Sequence, residues 1–229
     1  MKRTVIILGG GKGLRVGCDL PKQFIPLRGK PILMHTMEVF YQWDTTMDVV
    51  LVLPEEYTSY WGMLCKELNF SMPHRIVLGG ETRFHSVYNA LHTPPASINS
   101  QFSFVAVHDG VRPFVSPAVI SSCFKMAEEY GAAISVIPVI DTVRELDGAD
   151  NRTFDRNRLC IVHTPQVFRA DILLNAYEQP YEKRFTDDAS LVEASGHPIH
   201  LIEGNYENIK ITTPVDLQYA SILIENINS

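Results

Sequence analysis

The residues with the most chemistry in them lie near the start of the chain, in Gly9-Gly-Gly-Lys-Gly-Leu-Arg15 and the Pro21-Lys22-Gln23 that follows. Gly9, Gly10, Gly11 and Gly13 carry no side chains, so their backbone N–H groups can approach a ligand closely. Lys12, Arg15 and Lys22 add full positive charge beside them, a combination suited to the oxygens of a triphosphate. Two familiar phosphate loops are excluded by spacing. A dinucleotide fingerprint begun at Gly9 requires glycine where Leu14 stands, and one begun at Gly11 requires it where Val16 stands. A P-loop requires Ser or Thr after Gly-Lys, and Gly11-Lys12 is followed by Gly13. A plain tight turn is the other reading of such glycines; the pairing with Pro21-Lys22 after a short spacer favours phosphate.

Alternating strands and helices must position these groups. The apolar run Val5-Ile-Ile-Leu8 reads as a buried strand that stops at the glycines. Gln23 to Leu27 reads as a short extended piece, and Pro31 opens a helix through about Tyr41. Asp48–Leu53 is a second strand, Pro54 starts a helix through about Leu68, and Arg75–Leu78 is a third strand broken by Gly79-Gly80. Thr82 then caps a helix to about His92, so a second glycine-ended strand feeds a helix N-terminus, a favourable place for an anion or a polar base edge. After the loop at Pro94–Ser100, Phe102–Val107 is a fourth strand, ending in His108-Asp-Gly-Val-Arg-Pro113. Chemistry-bearing residues thus gather just past strand C-termini, where open α/β sheets bind ligands.

Ser116-Pro117 opens a helix to about Tyr130, and Ala132–Ile137 is a fifth strand. Residues 139–162 break the rhythm and read as a long hairpin with little to pack on, a candidate arm for a partner subunit. His163–Phe168 leads into a helix to about Gln179, and Thr186-Asp-Asp-Ala-Ser190 reads as the first turn of another, ending near Gly196. His197–Ile202 and Asn208–Ile211 are the last strand candidates, and Thr213-Pro-Val-Asp216 caps a closing helix.

The whole chain of 229 residues is expected to form one α/β domain. Its net charge of −6 argues against a general nucleic-acid binder, so an anionic substrate must be held locally. No apolar run is long enough to span a membrane, and the short apolar start meets glycines and charges too soon for a cleaved leader. Cys18, Cys65, Cys123 and Cys160 are scattered without a C-x-x-C pair, which fits reduced thiols and a cytoplasmic setting.

Taken together the motifs carry a resemblance. The glycine-rich loop with Arg15 and Lys22 is similar to the nucleotidyltransferase signature of sugar-nucleotide pyrophosphorylases. Val107–Pro113, Asp141-Thr142, Asp155-Arg-Asn157, Thr164-Pro-Gln166, Thr186–Ser190 and Asn208–Thr212 then resemble, in the right order from about Val5 to Leu217, the 2-C-methyl-D-erythritol 4-phosphate cytidylyltransferase family. The resemblance implies a Rossmann-like open, mostly parallel twisted sheet with helices on both faces, plus a protruding β-hairpin arm that serves a homodimer. It implies CTP and a sugar-alcohol phosphate as substrates, Mg²⁺ as cofactor, and in-line transfer of CMP with release of pyrophosphate. Arg15, Lys22 and Lys210 match the catalytic cations, and Asp109 matches the carboxylate nearest the metal and nucleotide. Gly9, Gly10, Gly11, Gly13, Gly79, Gly80, Glu81 and Ser86 match nucleotide-binding positions, and Arg112, Thr142, Arg156 and Thr186 match acceptor-binding ones.

Some residues depart from the family pattern. Gly9-Gly10 and Gly110-Val111 stand where alanines are usual, and Glu81 stands where many relatives have aspartate. Ser86 also reads as an ordinary surface residue of its helix, and Arg156 as an exposed arginine paired with Asp155. His108 and His163 read as hydrogen-bonded strand-end histidines and receive no catalytic role. A ribitol 5-phosphate cytidylyltransferase shares the nucleotide half of such a site, and a non-catalytic nucleotide-binding module would keep the loop alone. The second leaves the joint presence of Arg15, Lys22 and Lys210 without a reason.

Overall fold

A computed structural model describes residues 1–10, 20–93 and 103–227. Strand β1 (Lys2–Leu8) lies at the centre of a seven-stranded sheet with β4 (Asp48–Leu53), β5 (Arg75–Leu78), β6 (Ser103–Asp109), β7 (Ala132–Pro138), β10 (Cys160–Arg169) and β11 (His200–Glu203). The order is β11-β7-β10-β6-β1-β4-β5. β10 runs antiparallel to both its neighbours, and every other pairing is parallel. Two short strands, β2 (Pro26–Leu27) and β3 (Lys30–Pro31), pair with each other outside this sheet.

The strands are apolar on both faces because helices cover both. Val5 and Ile7 of β1, with Val49, Leu51 and Leu53 of β4, pack under α1 (Ile32–Trp43), α2 (Thr58–Glu67) and α4 (Pro117–Tyr130). Ile6, Val50 and Val52, the alternate residues, pack under α3 (Arg83–His92), α5 (Ala170–Tyr177) and α6 (Asp188–Ala194). This period of two with both halves buried is the signature of a strand inside an α/β sandwich. The closing helix α7 (Pro214–Ile227) contributes Ala220 and Ile224 to a third cluster with Ile25, Leu27, Val111 and Ile211.

Ladder bonds run past the strand ends. The N–H of Gly9 donates to Val52 O (2.8 Å), that of Gly79 to Leu53 O (2.8 Å) and that of Gly110 to Leu8 O (2.9 Å). Each glycine-bearing loop therefore leaves the sheet from a fixed point at the same edge.

The expected elements differ from the structure in three places. The hairpin proper is β8 (Val143–Asp147) with β9 (Asp150–Phe154), shorter than the expected arm at 139–162. Cys160, Ile161 and Val162 instead pair with Pro138, Ile137 and Val136, so β7 recruits them into the central sheet. Asn208–Ile211, expected as a strand, is irregular, because its backbone and side chains bond to loops around β6 and β10. Gln23, expected in an extended piece, sits in a single 3₁₀ turn, Lys22–Phe24.

The two glycine turns make opposite demands on space. A Cβ at Gly80 would collide with His85 Cβ and lie 2.8 Å from the His85 carbonyl carbon, whereas one at Gly10 meets nothing within 4 Å among the described residues. Gly80→Ala is therefore expected to destabilise the protein by about 1–3 kcal/mol, read as a lower midpoint of thermal unfolding. Gly10→Ala should instead raise that midpoint by about 1–4 °C, since alanine reduces the freedom of the unfolded chain.

Candidate active site

The ends of β1, β5 and β6 open onto one cleft of about 260 Å³. Gly9, Gly10, Lys22, Gln23, Gly80, Glu81, Thr82, Arg83, Ser86, Asp109 and Lys210 line it. Lys22 and Lys210, 188 residues apart in sequence, thus face the same space.

Lys22 arrives there on its 3₁₀ turn, which is fastened to the end of β1 by the next residue. Gln23 is buried, and its Nε2 donates to Gly9 O at 2.6 Å. On the opposite wall the Thr82 hydroxyl caps α3 by accepting from His85 N. The N–H of Gly80 donates to Ser86 Oγ at 3.1 Å, so the serine orders the turn and keeps its own O–H available as a donor.

Asp109 ends β6 and forms the floor. Its Oδ2 accepts from Lys210 Nζ at 3.0 Å and from Arg112 Nε at 3.1 Å. Burial would raise the Asp109 carboxyl, but Lys210, Arg112 and Arg83 outweigh it and hold the group well below the usual carboxylate range. Arg112 is buried beneath, donating also to Asn208 O at 2.8 Å. Asn208 is itself buried, its Nδ2 donating to Thr164 O at 2.8 Å, and the Thr164 hydroxyl accepts from Asp109 N at 3.0 Å. The segment that presents Lys210 is thereby tied to both β6 and β10.

His108 lies fully buried behind this network, with Nε2 3.0 Å from Arg112 O. Burial pushes its pKa down to about 4, and burial with Arg112 does the same to His163. Both rings are neutral at working pH, and His108 donates to the carbonyl, a supporting part and not a proton-transfer one.

The expected residues divide into three groups. Gly9, Gly10, Lys22, Gly80, Glu81, Ser86, Asp109 and Lys210 come together at the cleft, with Gly79 anchored behind it and Arg112 under its floor. Arg15, Gly11 and Gly13 fall outside the described residues. Thr142, Arg156 and Thr186 are exposed and do not line the cleft. Arg156 donates to Ile140 O, while Asp155 accepts from Asn157 N, so the expected Asp155 pairing is replaced by local backbone bonds.

Sequence reasoning gave no role to Arg83, Gln23, Thr164 or Asn208. The last three lie inside recognisable motifs, but their function is to bond backbone across large sequence separations, which no local pattern displays.

A mostly cationic cleft with backbone donors at two glycine turns can hold a polyphosphate and stabilise charge that develops on it. Comparison with known proteins agrees. A model of the family described as IspD, 2-C-methyl-D-erythritol 4-phosphate cytidylyltransferase, matches residues 3–226. Relatives named 2-C-methyl-D-erythritol 4-phosphate cytidylyltransferase from Bacteroides thetaiotaomicron and Bacteroides fragilis are 52% and 54% identical, each over 98% of this chain and 100% of its own. The crystal structure of 2-C-methyl-D-erythritol 4-phosphate cytidylyltransferase from Thermus thermophilus matches with TM-score 0.74 at 30% identity, over 98% of this chain and 100% of that one. That of 4-diphosphocytidyl-2C-methyl-D-erythritol synthase from Anaerococcus prevotii matches with TM-score 0.81 at 25% identity, over 98% and 96%. With its cleft built from the glycine turns, Lys22, Asp109 and Lys210, the chain belongs to the 2-C-methyl-D-erythritol 4-phosphate cytidylyltransferase family.

Proposed function

We propose that this chain transfers CMP from CTP to 2-C-methyl-D-erythritol 4-phosphate. The observation that carries the reading is the convergence of Lys22 and Lys210 on one cleft with Gly9, Gly10, Gly80, Ser86 and Asp109. An oxygen of the acceptor phosphate attacks the α-phosphorus of CTP in line. The bond from that phosphorus to the β-phosphate oxygen breaks, and pyrophosphate leaves with the electron pair. No proton need move and no covalent enzyme intermediate forms, so the protein's work is to position two anions and stabilise the charge between them.

Lys22 and Lys210 supply fixed charge from two sides of the cleft, and Arg15 is assigned to the triphosphate with them. The Gly80 turn and the Ser86 hydroxyl face the base, and Glu81 at the rim replaces the usual aspartate beside it. Arg112 braces Asp109 and Lys210 from below.

Mg²⁺ fits the donor set as a metal carried mainly by substrate phosphates. Among the described residues no group of three His, Cys, Asp or Glu could cage an ion, and Asp109 with Glu81 offers the one or two carboxylates that Mg²⁺ commonly takes beside phosphate oxygens. When bound it neutralises triphosphate charge and orients the leaving group.

The acceptor side is proposed to be completed in a homodimer. The hairpin strands are largely exposed, and Ile140, Leu146, Leu159 and Ile161 around them are 66%, 78%, 37% and 47% exposed, an apolar surface suited to a second copy. Arg156, at the base of this hairpin, would then serve the neighbour's acceptor phosphate, with Thr142 and Thr186 beside it. A cytoplasmic setting fits the cysteine pattern, and among the described residues no helix is long and apolar enough to cross a membrane.

Pyrophosphate release is expected when CTP, Mg²⁺ and 2-C-methyl-D-erythritol 4-phosphate are supplied together. Release with ribitol 5-phosphate in place of that acceptor would transfer the assignment to the ribitol enzyme, and CTP binding with no turnover on either would make the chain a binding module. Lys22→Ala should lower kcat by about 100-fold or more while weakening CTP binding far less, because its interaction strengthens as the transition state forms. A variant losing affinity alone would refute that role. Arg156→Ala is expected to raise KM for the acceptor by about tenfold with KM for CTP unchanged, whereas equal losses for both substrates would count against the arm's part in acceptor binding.

A further inference from the structure

Asp188 is the first residue of α6 and is fully buried. Both of its carboxylate oxygens are engaged. Arg83 Nη2 donates to Oδ2 at 2.5 Å, and the Tyr177 hydroxyl donates to Oδ1 at 2.6 Å. The surrounding turn is fixed as well: Gln166 Oε1 accepts from the N–H groups of Asp188 (3.1 Å) and Ala189 (3.0 Å), while Gln166 Nε2 donates to Asp187 Oδ2 (2.7 Å). Asp187 completes a capping box with Ser190.

Such a pair is a poor device for stability alone. Burying a carboxylate carries a desolvation cost that a well-packed apolar pair would avoid. Its geometry points elsewhere, because the two ends of the ion pair belong to different parts of the site. Arg83 lines the cleft with Lys22, Asp109 and Lys210, and it opens α3 between the Gly80 turn and Ser86. Thr186, assigned to the acceptor, stands two residues before Asp188. A contact between residues 105 apart in sequence thus ties the cleft wall that carries Arg83 to the turn that carries Thr186. Burial would lower the Arg83 pKa, but Asp188 outweighs it and the guanidinium stays charged throughout the working range. Among the described residues only Nη2 carries a hydrogen bond, and the side chain, 29% exposed, lines the cleft.

Resting on the reaction proposed above, we infer that Arg83 is a further phosphate-contacting residue of this cleft and that Asp188 is its positioning residue, aiming one face of the guanidinium by holding the other.

The test is made on the full chain with Arg83→Gln, Asp188→Asn, their double variant, and Tyr177→Phe. Arg83→Gln is expected to weaken a phosphate-bearing substrate by about tenfold or more, seen as a higher Kd for CTP or a higher KM for the acceptor, with the Kd for cytidine unchanged. Asp188→Asn should lower kcat/KM to a similar extent, and the double variant should be no worse than Arg83→Gln alone. Tyr177→Phe removes the other bond to the same carboxylate and should lower the unfolding midpoint while leaving kcat/KM within about twofold. If Arg83→Gln does not fold, Arg83→Lys keeps a cation facing Asp188 and is read in the same way, since a point charge cannot reproduce the fork. The inference is overturned if cytidine weakens as much as CTP, if neither CTP nor the acceptor weakens, if the two single losses multiply in the double variant, or if activity falls only with the folded fraction. Absence of turnover in the parent protein would sink the reaction instead and leave the comparison of CTP with cytidine intact.

Discussion

A carboxylate at the bottom of a cleft proposed to bind phosphate looks like an electrostatic error, yet the geometry of the site depends on it. Lys210 is exposed and Arg112 is buried; with no anion between them their charges would repel and the lysine would sample solvent. Asp109 Oδ2 takes both, at 3.0 and 3.1 Å, so the lysine is held over the cleft before any substrate arrives. Preorganised charge is worth more in catalysis than charge that must be recruited, since no reorganisation is left for the moment of reaction. The carboxylate lowers the net positive potential of the cleft, and in exchange fixes where that potential is delivered.

The sheet supplies this constraint in an economical way. Parallel strands β1, β4, β5 and β6 end at one edge, and the N–H groups of Gly9, Gly79 and Gly110 extend their ladders by one bond each. β10 enters against that direction, so polar residues from its middle meet β6 at its end. Thr164 reaches the Asp109 backbone there, and Gln166 reaches the start of α6. The register irregularity between Val162 and Gln166 is where this strand stops laddering continuously with β7, which frees Thr164 for its bonds to Asp109 and Asn208. An all-parallel sheet would have left that position to a loop, with less certainty of placement.

Much of this was legible in the sequence because it rests on local pattern. Asp48–Leu53 alternates between two buried faces and was readable as a strand; Thr82 and Ser116 were readable as caps, and each accepts the backbone bond expected of it. Lys22 and Asp109 were readable because each stands beside glycine, proline or a strand end, whereas Lys210 was reached only through the family resemblance. What stayed hidden is non-local. Asn208–Ile211 has the apolar alternation of a strand, but its bonding partners are Thr164 and Val111 instead of a neighbouring ladder. Cys160–Val162 looked like the return of a hairpin, and β7 captured it because laddering with Val136, Ile137 and Pro138 satisfies its backbone groups while the side chains stay exposed. Arg83 carries no signal of its own, since only its ion pair with distant Asp188 separates it from any other arginine on a helix.

The same non-locality bears on the two halves of the proposed site. The described part of the proposed nucleotide half is built from strand ends whose positions the sheet dictates. The proposed acceptor half would draw on Thr142 and Arg156, which flank a hairpin that buries almost nothing, and Arg156 spends its guanidinium on the nearby Ile140 carbonyl. An exposed arginine bonded to its own loop exerts little pull on a distant anion through screened solvent. It becomes useful only when a surface excludes water around it and aims it, which the proposed second copy would do by covering the apolar residues at the hairpin's base. In that arrangement each cleft would contribute its own triphosphate machinery and borrow part of its acceptor recognition, making dimerisation a condition of catalysis and not merely of stability.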